Sequence, residues 1–178
     1  MFGSRLRISS SPLFVSIRRI AFFNKATPEQ VAMVKKAFDP LSVDAPGVGK
    51  VFFERLFELY PGSQKYFQHL GSTDEELFAN PVFQHHCTKV ILSVGTMIDN
   101  LHSNNRRKNK ELFEKLATIH AKRKVSAQQT PYIKHTLMDI LHLEPHSAME
   151  KAWINVIDTL FTEYNEKIEA ITGKSKDL

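Results

Sequence analysis

Apolar residues in this chain recur at steps of three and four, and no stretch of useful length alternates apolar with polar. Such spacing lines one face of an α-helix, whereas a half-buried strand needs a period of two. The pattern runs through Val31, Val34, Phe38 and Leu41, then Phe52, Phe53, Leu56, Phe57 and Tyr60, and reaches Met149, Trp153, Val156, Leu160, Tyr164 and Ile168. It predicts an all-α fold of six to eight helices. At 178 residues and 42% hydrophobic, the chain is long enough for one sizeable core. No apolar run has the ~20 residues that a membrane-spanning helix needs.

Helix signals divide the chain. Thr27-Pro28-Glu29-Gln30 is an opening, with Thr27 as cap, Pro28 in the first turn and Gln30 at capping-box spacing. Pro40, Pro46 and Gly47 predict a break, and a second helix from about Gly49 to Tyr60. Ser72–Phe78 reads as a short capped helix with Asp74, Glu75 and Glu76 in its first turn. A long helix follows over 80–102, with Val82, Phe83, Val90, Val94, Met97 and Leu101 expected inward. Asn104–Lys110 carries Arg106, Arg107, Lys108 and Lys110 and reads as a solvated loop. Leu112, Phe113, Leu116 and Ala117 lead the next helix to His120. Thr130-Pro131 opens another with Ile133, Leu137, Ile140 and Leu141, and Pro145 ends it. The last helix spans about 147–171, with Gly173 as its stop.

The net charge of +5 is localised. Residues 1–25 hold Arg5, Arg7, Arg18, Arg19 and Lys25 and no acid, which leaves 19 basic and 19 acidic side chains in 26–178. The balanced remainder argues against a nucleic-acid partner. Residues 1–25 therefore read as a Ser/Arg-rich extension, either a mitochondrial transit segment or a disordered tail. Residues 26–172 form the expected domain and 173–178 a C-terminal tail. The single cysteine, Cys87, excludes an internal disulfide and a multi-thiolate zinc site. It has no second cysteine to resolve a redox cycle, which favours an inert, buried thiol over a sensor.

His86 falls on the apolar face of the 80–102 helix, and His120 on that of the helix beginning near Leu112. An imidazole directed into a core needs partners for its nitrogens. Two readings follow. Both rings are core histidines satisfied by local hydrogen bonds, or they converge on a metal-centred planar ligand such as a haem. His85, about 100° round the helix from His86, is expected in solvent.

Several motifs together resemble the globin family. Leu59-Tyr60-Pro61-Gly62-Ser63-Gln64-Lys65-Tyr66-Phe67 resembles the proline-led turn ending in the phenylalanine that stacks on haem. Asn80-Pro81, followed by His86, Lys89 and Val90, resembles the distal helix; Leu116, His120 and Val125 resemble the proximal helix and its exit. Ala152-Trp153 resembles the last helix of non-vertebrate and nerve-type globins. The resemblance covers roughly residues 26–172. It departs from the family pattern in the 33 residues between the two histidines, an excess assigned to Asn104–Lys110, and in Thr130, where an aromatic often lines the pocket.

The resemblance implies a globin fold enclosing haem b (iron protoporphyrin IX). His120 would be the proximal ligand, its second nitrogen donating to a backbone carbonyl of the preceding turn. His86 would be the distal residue, as a hydrogen-bond donor to the gas or as a direct ligand of the iron. Phe67 would stack on the porphyrin, Phe53 and Val90 would restrict the gas, Lys89 would lie near a propionate, and Leu116 and Val125 would line the proximal side. The implied function is reversible binding of oxygen and other diatomic gases for storage, supply or carriage, with no dedicated catalytic constellation. The alternatives are redox activity toward nitric oxide, nitrite or peroxide, a haem-based sensor, and a cofactor-free helical interaction module. The family default for location is the cytoplasm; the extension offers mitochondria as the alternative.

Overall fold

A computed structural model of the protein describes residues 25–173. The expected segments 1–25 and 173–178 lie outside that range except for Lys25 and Gly173. Seven α-helices follow one another: α1 (Pro28–Val43), α2 (Ala45–Leu59), α3 (Asp74–Ala79), α4 (Pro81–His102), α5 (Arg106–Lys122), α6 (Thr130–Ile140) and α7 (Ala148–Gly173). Short 3-10 turns occupy Pro61–Tyr66 and Ala127–Gln129, and no strand occurs among the described residues. The all-α expectation holds, and the helix number falls within its range.

The first opening forms as read. The Thr27 hydroxyl accepts from the Gln30 N–H at 3.3 Å, and the Gln30 side chain accepts from the Thr27 N–H at 3.1 Å. The expected break is shorter than its prolines suggest. Pro40 lies inside α1, and Asp44 alone separates α1 from α2. The Asp44 carboxylate accepts from the Gly47 N–H at 3.1 Å. Pro46 sits in the first turn of α2, where a missing N–H costs nothing. The second helix therefore begins at Ala45, not near Gly49. At Gly49, α2 crosses α4 so closely that a Cβ would stand 2.5 Å from the Cys87 carbonyl oxygen.

Asn80 caps α4 by accepting from the Val82 N–H at 2.9 Å. The buried stripe of α4 is Phe83, Cys87, Ile91, Val94 and Ile98. Val82, expected inward, is 62% exposed. Position 82 lies one residue, about 100°, from Phe83, and the larger ring takes the core direction. His86, Val90, Met97 and Leu101 form a second, half-buried stripe beside the first.

The segment expected as a solvated loop is mostly the first turn of α5, and this corrects the sequence reading. Asn104 is left-handed (φ 53°), which turns the chain so that the Asn105 N–H reaches the Asn100 carbonyl at 2.7 Å. Asn105 then caps α5 through the Lys108 N–H. The basic side chains are exposed while Asn109, between two of them, is buried. Its amide donates to the Met97 carbonyl at 2.9 Å and accepts from Asn100 at 3.0 Å. Charge composition hid this inward position. Asn109→Ala strands both partners and should destabilise the fold by about 1–3 kcal/mol; an unchanged urea midpoint would show that the bonds contribute nothing.

α1 packs on both α4 and α7, α2 on α4 and α6, and α5 on α7. Trp153 of α7 is fully buried against Phe38 of α1, with ring centres 6.0 Å apart. Arg55 of α2 grips Asp139 of α6 through Nε and Nη2, at 2.6 and 3.4 Å. The α2–α4 layer carries His86, and the α5–α7 layer carries His120.

Candidate functional site

His86 projects from α4 into an aromatic wall. Its ring centre lies 5.4 Å from that of Phe53 and 5.3 Å from that of Phe67. Phe53 is buried on α2, and Phe67 follows the Pro61–Tyr66 turn half-buried. Phe83 closes the cluster, with ring centres 5.2 Å from Phe53 and 5.1 Å from Phe67. The His86 ring makes no hydrogen bond with another described residue. Burial, with smaller contributions from the charges of His120 and Arg123, lowers its pKa to about 4. His86 is therefore neutral at physiological pH, with one donor and one acceptor nitrogen. His85 beside it is exposed, as expected.

His120 stands near the end of α5, half-buried. Burial and then Arg123 push its pKa below the ordinary value, so it too is neutral. Its Nδ1 pairs with the hydroxyl of Tyr164, on α7, at 2.8 Å. The expected bond to a backbone carbonyl of the preceding turn is thus replaced by a side-chain partner from another helix. The His120 carbonyl is itself used in ending α5. Lys124 is left-handed (φ 60°), and the Val125 N–H bonds back to the His120 carbonyl at 3.1 Å. This closure folds Val125 back beside His120.

The remaining expected residues distribute as follows. Val90 is half-buried one turn beyond His86, and Leu116 is half-buried one turn before His120. Lys89 is exposed, yet its charge acts on His86. Cys87 points the other way, into the α2–α4 core, and burial pushes its thiol up to about 12. A thiolate is strongly disfavoured there, in keeping with an inert cysteine. Thr130 is buried and donates to Asn165 at 2.6 Å.

Sequence reasoning missed the rim. A cleft of about 490 Å³ is lined by Lys65, Tyr66, His69, Arg123 and Lys124. Arg123 approaches His69 Nε2 at 2.8 Å, and no carboxylate lines the cleft. The charge of Arg123 acts on both His86 and His120, lowering the pKa of each. The members of the rim come from two segments distant in sequence.

Among the described residues, no group of three or more His, Cys, Asp or Glu side chains is placed to hold a bare metal ion. Two neutral imidazoles, aromatic walls and a cationic edge suit a different guest. They fit a metal carried in an apolar ring whose periphery bears carboxylates.

Comparison with known proteins agrees. The family described as Globin matches residues 50–164. Leghemoglobin-1 of Lupinus luteus is 24% identical over 152 residues, covering 85% of this chain and 96% of that protein. Anaerobic nitrite reductase HBII of Casuarina glauca is 28% identical over 139 residues, covering 75% and 87%. Among solved structures, a Drosophila melanogaster globin superposes with a TM-score of 0.70 at 21% identity, covering 79% of this chain and 94% of that one. The Drosophila melanogaster hexa-coordinate hemoglobin, from a structure on cyanide binding and haem cavity transitions, gives 0.69 at 21% identity, covering 78% and 92%.

Proposed function

Because the chain belongs to the globin family, we propose that it holds haem b between His86 and His120 and binds oxygen reversibly. The observation that supports this reading is the pair of half-buried, neutral imidazoles on α4 and α5, with the charges of His120 and Arg123 acting on His86. When bound, the haem supplies a ferrous iron with affinity for diatomic gases.

The chain's own residues do the rest. His120 offers Nε2 as the ligating nitrogen, because Nδ1 is taken by Tyr164. Phe53, Phe67 and Phe83 keep water from the His86 side. His86 presents a neutral N–H, and a donor of this kind favours a ligand that gains negative charge over one that does not. Phe53 cannot add a second donor. Val90 and Leu116 supply apolar surface on the two sides, and Val125 closes the proximal end. Lys65, His69, Arg123 and Lys124, with Lys89 on the His86 helix, would hold the two propionates.

A second reading has His86 as a displaceable ligand, with redox chemistry toward nitrite. It is favoured by the absence of any other described hydrogen-bond partner for His86, and two similar proteins are named a nitrite reductase and a hexa-coordinate hemoglobin. One experiment separates the two. Reduced protein is cycled between oxygen and argon, then mixed with nitrite under argon. Reversible binding predicts spectra that return unchanged over repeated cycles and slow reaction with nitrite. Rapid oxidation by oxygen, with fast nitrite turnover, would favour redox chemistry instead.

A further inference from the structure

Among the described residues, one side chain hydrogen-bonds the His120 ring. Tyr164 reaches across from α7 and places its hydroxyl 2.8 Å from Nδ1. The two ring planes are almost perpendicular, at 85° with centres 6.0 Å apart. Tyr164 is itself fixed, buried between Phe113 of α5 and Phe161 of its own helix, with ring centres 6.4 and 6.5 Å away. α5 and α7 pack closely along this face, so the hydroxyl is held by the helix pair and not by a loop.

A phenol can accept or donate, and an imidazole nitrogen can do either. Ligation through Nε2 requires the Nε2 lone pair, which puts the proton on Nδ1. Nδ1–H then donates to the Tyr164 oxygen, and the phenol proton is left for another acceptor. The opposite arrangement, with the phenol donating to Nδ1, puts the proton on Nε2 and blocks ligation. A hydrogen bond accepted from Nδ1–H also raises the electron density of the ring, making Nε2 a stronger donor. A stronger donor stabilises the ferric over the ferrous state.

We infer that Tyr164 is a positioning residue for His120: its oxygen accepts from Nδ1–H, orients the ring, selects the ligating tautomer and lowers the reduction potential of the bound haem. This inference rests on the haem reading above. No other described hydrogen bond restrains the His120 ring, so a single hydroxyl on α7 acts on the proximal side.

The test compares the full chain with Tyr164→Phe, which removes one atom from a packed ring. His86→Leu is added to both so that the ferrous iron has one histidine ligand. Resonance Raman spectroscopy reads the iron–histidine stretch, and spectroelectrochemistry reads the potential. Loss of a hydrogen bond of ordinary strength should shift the ferric/ferrous equilibrium roughly threefold to tenfold toward ferrous, about 30–60 mV upward. The stretch should move to lower frequency. Incorporation of 3-fluorotyrosine weakens the acceptor while keeping the packing, and should shift both readings in the same direction by less. It also serves if Tyr164→Phe fails to fold, as judged by circular dichroism. Haem-loaded variants with an unchanged stretch and potential would overturn the inference and leave the haem reading intact. Failure of the unmodified chain to bind haem would overturn both.

Discussion

His120→Ala is expected to abolish stable haem binding while leaving the helical fold in place. The side chain sits half-buried near the last turn of α5, so its loss removes little packing. Its consequence for the cofactor is large, because His120 is the proposed iron ligand. Losing a partner that merely orients a metal ligand costs ~10–100-fold in metal affinity, and losing the ligand itself should cost more. Haem loss to an excess of an acceptor globin measures the effect, and imidazole added to fill the vacated space should slow that loss. If His120→Ala kept haem with an unaltered ferrous spectrum and no added imidazole, the proximal assignment would be wrong.

His86→Leu is expected to produce the second large change, weakening oxygen retention while stabilising the haem-free fold. Removing the donor should speed oxygen dissociation at least about tenfold, the equivalent of ~1.5 kcal/mol. In the haem-free chain the same substitution should stabilise the fold by about 1 kcal/mol, since a half-buried imidazole without a described partner gives way to an apolar side chain beside Phe53 and Phe67. Stopped-flow oxygen release and urea unfolding read the two effects. Where His86 ligates the iron, the ferrous spectrum should also change from low-spin to high-spin. A dissociation rate and a spectrum both unchanged would place His86 outside the pocket.

These two residues were accessible from sequence because helical periodicity ties each to a stripe of larger apolar neighbours, and burial follows the stripe. The same logic placed Phe53, Val90 and Leu116 on inward stripes, while their roles beside a haem came from the family resemblance alone. It failed where position along a helix and chemical type disagree. Asn109 lies among four basic residues that dominate the composition, yet a single 100° step turns it inward to bond Met97 and Asn100. Val82 failed for the converse reason, as an apolar residue one step off the stripe. Pro40 and Pro46 suggested a long break, but Asp44 ends one helix and begins the next.

The pairing of His120 with Tyr164 spans 44 positions in sequence. Periodicity marked Tyr164 as inward, but no local rule says which polar atom its hydroxyl meets. The basic rim likewise joins Lys65 and His69 to Arg123 and Lys124, residues brought together only by packing. Long-range polar contacts of this kind are set by the tertiary arrangement and leave no periodic trace.

In the proposed arrangement α4 and α5 present two imidazoles to one haem. Titration of ferric protoporphyrin IX into the haem-free full chain, followed by absorption before and after dithionite reduction, tests it most directly. Saturation is expected at one haem per chain, with histidine-ligated spectra in both oxidation states that disappear in His120→Ala. Absorbance that rises without saturation, or spectra identical between the unmodified chain and His120→Ala, would contradict it.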